Sequence, residues 1–145
     1  MRVDILLVED NPDDIELAQL ALRRLDRPVT VEVARDGLEA LDYLLCRGAH
    51  AGRSPHASPR LVLLDLKLPK CDGLEMLSRM RAEPATRLVP VVMLTSSGLP
   101  NDVRESYARG ANSFVVKPAS FERFTRVMQQ VVSYWLTVNQ PGDGR

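Results

Sequence analysis

The segment Leu61–Pro69, with the sequence LVLLDLKLP, decides the fold class. Its four leading apolar residues are followed by Asp65 and by a turn that Pro69 and the pair Asp72-Gly73 close. A short apolar run between turn signals is typical of a strand that is covered on both faces, as in a parallel sheet. Asp65 would then stand at the carboxyl end of that strand, where open α/β sheets bind their ligands.

The composition is that of an ordinary globular protein. Of the 145 residues, 45% are hydrophobic and 26% are charged, which predicts one domain with a core of its own. The 19 basic and 19 acidic side chains balance, so the charge gives no indication of binding to nucleic acid or to a membrane surface. Cys46 and Cys71 lack metal-site spacing, and no signal peptide or membrane span is evident, so we expect a cytoplasmic protein.

Further apolar segments alternate with helical patterns along the chain. Asn11, Asp36 and Asp72 are expected to cap the first three helices, and Gly48 to end the second. The remaining strands are predicted at Val3–Val8, Val29–Val33, Pro90–Leu94 and Ser113–Val116, and later helices at Pro100–Arg109 and Ser120–Val138. Five strands alternating with five helices predict a doubly wound α/β sandwich with three layers and a parallel sheet.

Charged and hydroxyl side chains stand where the apolar strands end. Glu9 and Asp10 follow the first strand, Asp65 the third, Thr95 the fourth and Lys117 the fifth. Parallel strands bring these ends to one edge of the sheet. Three crowded carboxylates would raise one another's pKa values, and a divalent cation, magnesium by its preference for oxygen ligands, would relieve that repulsion.

Together these groups can bind a phosphoryl group on Asp65. The carboxylate is a nucleophile and Thr95 a hydroxyl donor, while the ammonium of Lys117 can pair with a phosphoryl oxygen or with Asp65. Each residue alone has a simpler interpretation: Asp65 or the Glu9-Asp10 pair as turn and helix-start acids, Thr95 as a turn hydroxyl, and Lys117 as a solvated lysine. Their occurrence at successive strand ends favours the phosphoryl site.

The chain resembles the receiver domains of two-component response regulators. The motifs that carry the resemblance are LVEDN at 7–11, LLDLKLP at 63–69 with DG at 72–73, LTS at 94–96 and VVKP at 115–118. The resemblance implies the strand order 2-1-3-4-5, a receiver domain over residues 1–139 and a short tail over residues 140–145. It also implies that Asp65 takes phosphate from the phosphohistidine of a sensor histidine kinase. Such a protein catalyses only its own phosphorylation and dephosphorylation.

The resemblance further implies roles for individual residues around the acceptor. Asp10, Asp65 and the backbone carbonyl of Lys67 would bind Mg²⁺, or Mn²⁺ in its place, with Glu9 acting largely through water. Lys67 and Ser97 would flank the path of the attacking water and tune the lifetime of the phosphoryl group.

The switch expected from the resemblance uses a hydroxyl and an aromatic ring. Thr95 and Lys117 would contact phosphoryl oxygens, and the bond Lys117–Pro118 is expected to be cis. Thr95 would move inward, and the ring of Phe114 would fill the space that it leaves. The following helix has only a thin apolar stripe and is expected to be held loosely; the stripe consists of Leu99, Val103 and Tyr107.

More narrowly, the chain resembles the stand-alone regulators associated with bacterial phytochrome-type kinases. The motifs NPDD at 11–14, ANSF at 111–114 and SYWL at 133–136 carry this likeness, together with the enlarged loop before Leu61. With about ten residues after Trp135, we expect no effector domain and an output by protein contact. The alternatives are a phosphate-independent interaction module and, less favoured, an aspartyl-nucleophile phosphohydrolase, which would need an Asp at the position of Lys67.

The last helix has more apolar surface than one core contact requires. Its apolar arc spans roughly 200°, about twice that of an ordinary surface helix. The expected core stripe is Phe121, Phe124, Met128, Val131 and Trp135, flanked by Val127, Tyr134 and Val138 on one side and by Val132 and Leu136 on the other. We predict a homodimer through Val127, Tyr134, Trp135 and Val138; the alternative is packing of the chain end under the first helix.

Overall fold

A computed structural model describes residues 2–54 and 57–142 of the chain. The strands are β1 (Ile5–Val8), β2 (Val31–Ala34), β3 (Leu61–Leu64), β4 (Val91–Thr95) and β5 (Ser113–Val116). The helices are α1 (Pro12–Arg23), α2 (Gly37–Leu45), α3 (Gly73–Ala82), α4 (Pro100–Ala108) and α5 (Phe121–Ser133). The strands form one parallel sheet in the order β2-β1-β3-β4-β5, which confirms the predicted fold.

The central strand β3 supplies side chains to two cores. Val62 and Leu64 pack in a core with residues of α2 and α3, and Leu61 and Leu63 pack in a second core with residues of α1 and α5. All four side chains are almost completely buried. The uninterrupted apolar sequence of β3 therefore reflects burial on both faces of the sheet.

Polar caps start the helices directly after the strand ends. Asn11, Asp36 and Asp72 each accept a hydrogen bond from a backbone N–H in the first turn of α1, α2 and α3. These bonds satisfy N–H groups that the helix itself leaves without partners. The predicted caps are confirmed, and α1 and α3 thereby begin next to the carboxyl ends of β1 and β3.

The end of α2 differs from the prediction. Cys46 is the residue directly after the helix and adopts the left-handed conformation, with φ of 56°; Gly48, also at φ 56°, lies two residues further on. The N–H of Arg47 bonds to the carbonyl of Asp42 at 2.8 Å and closes the last turn at that point. The predicted surface loop from residue 49 to 59 includes a short 3-10 helix, Gly48–His50, and its residues 55 and 56 lie outside the described residues.

The C-terminal helix buries one side of its apolar arc, but the innermost residues are not all the ones predicted. Phe124, Met128, Val132 and Leu136 are buried, whereas Val131 and Trp135 are only half-buried. The predicted stripe was wrong in this respect because periodicity defines an arc, whereas contact with α1 and the sheet decides which side of the arc is innermost. After α5 the chain continues as a π-helical turn, Tyr134–Val138, so the α-helix itself ends before Val138. Tyr134 and Val138 are 48% and 68% exposed.

Helix α4 buries few of its side chains. Leu99 and Tyr107, which were predicted to form its apolar stripe, are 64% and 49% exposed, and Ser106 is the buried residue of the helix. Of the three residues of the predicted thin stripe, only Val103 is half-buried, so α4 covers little of the core with apolar side chains. No helix in the described part of the chain combines the length and apolarity that crossing a membrane requires.

Candidate functional site

The sheet register brings the predicted site residues to one edge. Val8 of β1 is paired with Leu64 of β3, so that Glu9 and Asp65 leave the sheet side by side. Thr95 of β4 is likewise paired with Val116 of β5, which places Lys117 next to the end of β4. Adjacent parallel strands therefore produce the cluster that was predicted from their sequences.

Three carboxylates form the centre of the site. Oxygen atoms of Glu9, Asp10 and Asp65 all lie within 4.8 Å of one another. Glu9 is buried, Asp65 is half-buried and Asp10 is exposed, so the cluster runs from the interior to the surface. A set of carboxylate oxygens at this spacing fits a hard divalent cation such as Mg²⁺ or Mn²⁺.

Lys117 pairs with Glu9. Its Nζ lies 2.6 Å from Oε1 of Glu9 and 3.7 Å from Oδ2 of Asp14. The lysine thus pairs with Glu9 and not with Asp65, because Glu9 is the most deeply buried of the three carboxylates and most requires a counter-charge. The contribution of Asp14 was missed, because it depends on how the first turn of α1 faces the site.

Burial and charge shift the pKa values of this pair. Burial raises the pKa of Glu9 to about 7; the hydrogen bond from Lys117 opposes this shift, and the charge of Asp65 adds to it. For Lys117, burial acts to lower the pKa, but the hydrogen bond to Glu9 and the negative charges of Glu9 and Asp65 outweigh it, so the pKa lies above its ordinary value. The lysine therefore stays charged at neutral pH.

The bond Lys117–Pro118 is trans, which makes the prediction of a cis bond wrong. The trans form is favoured by about 0.5–1 kcal/mol at X–Pro bonds unless tertiary contacts select the other isomer. With this bond in the trans form, the Lys117 ammonium already reaches Glu9 and Asp14.

Thr95 is buried at the end of β4, where its Oγ1 accepts a hydrogen bond from the N–H of Ser97 at 3.3 Å. The hydroxyl of Ser97 donates to Oδ2 of Asp102 on α4 at 2.9 Å. Phe114 is half-buried against the core that α2 and α3 cover, and Lys67 is exposed. The second contact of Ser97 was not expected from the sequence.

The surroundings of Asp65 combine a tight backbone contact with open access. Its Oδ1 accepts a hydrogen bond from the N–H of Leu66 at 2.7 Å. A Cβ atom at Gly73 would lie 2.2 Å from the backbone oxygen of Asp65, so only glycine lets α3 approach this strand end so closely. Beside the carboxylates lies a cavity of about 520 Å³, whose lining includes Asp10, Lys67, Asp72 and Asp102.

The residues predicted to form a dimer lie elsewhere. Val127, Tyr134, Trp135 and Val138 belong to α5 and the π-helical turn, and none of them joins the carboxylate cluster. Tyr134 and Trp135 contact each other edge to face, with ring centroids 5.0 Å apart.

The chain matches a family model and several known proteins over most of its length. The family model described as the response regulator receiver domain matches residues 5–129. The probable methanogenesis regulatory protein FilR2 of Methanothrix harundinacea is 45% identical over 139 residues, which are 95% of this chain and 87% of that protein. Response regulator Rcp1 of Synechocystis is 38% identical over 94% of this chain and 92% of its own length.

Solved structures agree with the sequence matches. The phosphorylated cyanobacterial phytochrome response regulator RcpA is 36% identical, with a TM-score of 0.88, over 98% of this chain and 99% of its own. The Mn²⁺-bound form of Rcp1 is 34% identical, with a TM-score of 0.85, over 96% and 98% of the two chains.

Proposed function

Because the chain belongs to the response regulator receiver domain family, we propose that Asp65 is the residue on which it accepts a phosphoryl group. The observation that carries this assignment is the cluster itself, in which Asp65 stands within reach of Glu9 and Asp10 at the end of the central strand. Lys117 supplies the neighbouring positive charge. Phosphoryl transfer requires mainly positioning and charge neutralisation, and this arrangement provides both.

In the proposed reaction a carboxylate oxygen of Asp65 attacks the phosphorus of a phosphohistidine. The new O–P bond forms as the P–N bond breaks, and the imidazole leaves with its electron pair and takes up a proton. The hydrogen bond from Leu66 N–H holds the carboxylate in place during the attack. Lys117 and the hydroxyl of Thr95 are the groups that would stabilise the transferred phosphoryl oxygens.

Receiver domains bind a divalent metal, and we propose that Mg²⁺ is the ion used here, with Mn²⁺ as a substitute. Asp10, Asp65 and the backbone carbonyl of Lys67 would hold it, and Glu9 would act through water. When bound, the ion neutralises negative charge on the carboxylates and on the phosphoryl oxygens. The carboxylate oxygens grouped within 4.8 Å support this set.

Two further pairs of residues are assigned to regulation. Thr95 and Phe114 form the proposed switch: a phosphoryl group draws the hydroxyl of Thr95 inward, and the half-buried ring of Phe114 takes up the space. Lys67 and Ser97 are proposed to control the lifetime of the phosphoryl group. The exposure of Lys67 beside the cavity supports a role in shielding the bond from water.

Receiver domains have histidine kinases as partners, and the likeness to RcpA and Rcp1 supports a phytochrome-type kinase. We place the protein in the cytoplasm, as a signalling protein that catalyses only its own phosphorylation and dephosphorylation. The exposed side chains of Tyr134 and Val138 support a homodimer. Residues 1–139 would form the receiver domain and residues 140–145 a tail, of which residues 143–145 lie outside the described part.

The test is phosphorylation by a small-molecule donor, followed by intact mass. The wild-type chain should gain one phosphoryl group in the presence of Mg²⁺ and little in the presence of a chelator. Asp65→Asn keeps the shape of the side chain but removes the nucleophile, and should gain none. Asp13→Asn, at an exposed position outside the cluster, is the matched control. Modification of Asp65→Asn at the wild-type rate would contradict the assignment.

A further inference from the structure

We propose that Asp102 is a positioning residue that couples the proposed switch residue Thr95 to helix α4 through Ser97. The proposal goes beyond the assignment of Asp65 but rests on it, since the movement of Thr95 is driven by a phosphoryl group. It gives a role to a carboxylate that lies outside the cluster of Glu9, Asp10 and Asp65.

The link consists of two hydrogen bonds that meet at one residue. The backbone N–H of Ser97 donates to Oγ1 of Thr95 at 3.3 Å, and its hydroxyl donates to Oδ2 of Asp102 at 2.9 Å. Thr95 ends β4, and Asp102 lies in the first turn of α4. Ser97 is thus in direct contact with both the threonine and the helix.

The backbone of Asp102 also takes part in a side-chain hydrogen bond within α4. Leu99, at the helix start, provides no side-chain cap, and Ser106 is the buried residue of the helix. The hydroxyl of Ser106 donates to the backbone oxygen of Asp102 at 2.8 Å. Because Leu99 and Tyr107 are largely exposed, apolar packing holds this helix only weakly. The carboxylate of Asp102 therefore links the start of α4 to Ser97, in the loop that follows β4.

The strengths of the two bonds determine how a movement passes along the link. A bond to a carboxylate is roughly twice as strong as a bond between neutral groups. When Thr95 moves toward a phosphoryl group, the longer bond to Ser97 N–H must follow or stretch, whereas the bond of Ser97 to Asp102 persists. The first turn of α4 then moves with the loop. Without an acceptor at residue 102, Thr95 can move while α4 stays where it is.

Amide hydrogen exchange of residues 100–108 tests this coupling in the full chain. Each variant is first phosphorylated to completion, as judged by intact mass, so that a failure of Asp65 to react is recognised separately. In the unphosphorylated state, Asp102→Ala should exchange these amides about fivefold faster than wild type, the effect of one lost hydrogen bond. It should also lose most of the change that phosphorylation causes in wild type.

Matched variants separate the hydrogen bond from other effects. Asp102→Asn keeps an acceptor for the Ser97 hydroxyl but makes the bond one between neutral groups, so its response should lie between those of Asp102→Ala and wild type. Asn101→Ala, an exposed neighbour in the same turn, should be unchanged. Ser97→Ala should reproduce Asp102→Ala, and the double variant should add nothing to either single change. Exchange in α2 shows whether a variant is destabilised throughout.

Three results would overturn the proposal. In the first, Asp102→Ala keeps the wild-type response of α4 to phosphorylation. In the second, Asp102→Asn is as impaired as Asp102→Ala, which would assign the effect to charge. In the third, the effects of Ser97→Ala and Asp102→Ala simply add in the double variant, so that the two residues act independently.

Discussion

The ammonium nitrogen of Lys117 lies 2.6 Å from Oε1 of Glu9, and this pair joins the ends of β5 and β1 across the site. In the unphosphorylated protein the positive charge is thus shared with the most buried carboxylate, rather than with the proposed acceptor Asp65. A phosphoryl group on Asp65 would compete with Glu9 for Lys117. The attraction between Lys117 and Glu9 therefore opposes phosphorylation of Asp65. A metal ion that neutralises the charge of Glu9 would weaken this attraction and free Lys117 for the phosphoryl group.

Glu9 should make the stability of the metal-free protein depend on pH. Its pKa of about 7 in the folded protein lies above the ordinary value of 4.5, so the folded state binds more protons than the unfolded chain between these values. The free energy of unfolding should therefore fall as the pH rises from about 4.5 to about 7. Glu9→Gln cannot titrate and should lack this component. Denaturant unfolding at several pH values measures it, and equal pH slopes for both proteins would contradict it.

The hydroxyl of Thr95 should be needed for the response but not for phosphorylation. Thr95→Ala should still gain a phosphoryl group, yet lose most of the phosphorylation-dependent change in the NMR signals of the Phe114 ring, because no hydroxyl is drawn inward. Thr95→Ser keeps the hydroxyl and is the matched control. The active conformation should exist as a minor state before phosphorylation. If Thr95→Ala responded like wild type, the coupling of these two residues would be refuted.

Lys67 should affect how long the phosphoryl group survives. Its exposed cationic side chain lies beside the cavity next to the carboxylates and can restrict the approach of water. Lys67→Ala should therefore change the rate of autodephosphorylation, in the direction of faster loss, without preventing phosphorylation. Ser97→Ala tests whether the other residue beside the path of the attacking water also affects this rate. Decay of the phosphorylated protein is followed by intact mass over time; unchanged rates in both variants would reject the placement.

The exposed side of the C-terminal helix should support a dimer. Tyr134→Arg together with Val138→Glu places charges on an apolar surface and should weaken association by at least about tenfold while Asp65 is still phosphorylated. Sedimentation at several concentrations measures the dissociation constant. Leu38→Glu introduces a charge at a similarly exposed apolar residue of α2 and is the control. A wild-type protein that stays monomeric at high micromolar concentration, phosphorylated or not, would contradict the proposal.

The sequence was most informative where the fold dictates the position of the backbone. The apolar run of β3 predicted burial on both faces, and the strand ends predicted which residues meet, because parallel register leaves little freedom. The partner of Lys117 was not predictable, since it depends on which carboxylate is buried most deeply. Likewise, periodicity could not distinguish Val132 from Val131 as the inner residue of α5, because both lie within one apolar arc.

The long separation between Glu9 and Lys117 has a consequence for the newly made protein. The two residues are 108 positions apart, and β5 is the last strand to leave the ribosome. Contacts between residues far apart in the sequence are slow to form, so in a nascent or partly folded chain Lys117 is not yet beside Glu9 and Asp65. Such a chain should be a poor phosphoryl acceptor. Incompletely folded molecules would then remain unphosphorylated, and the kinase would phosphorylate only molecules whose folding is complete.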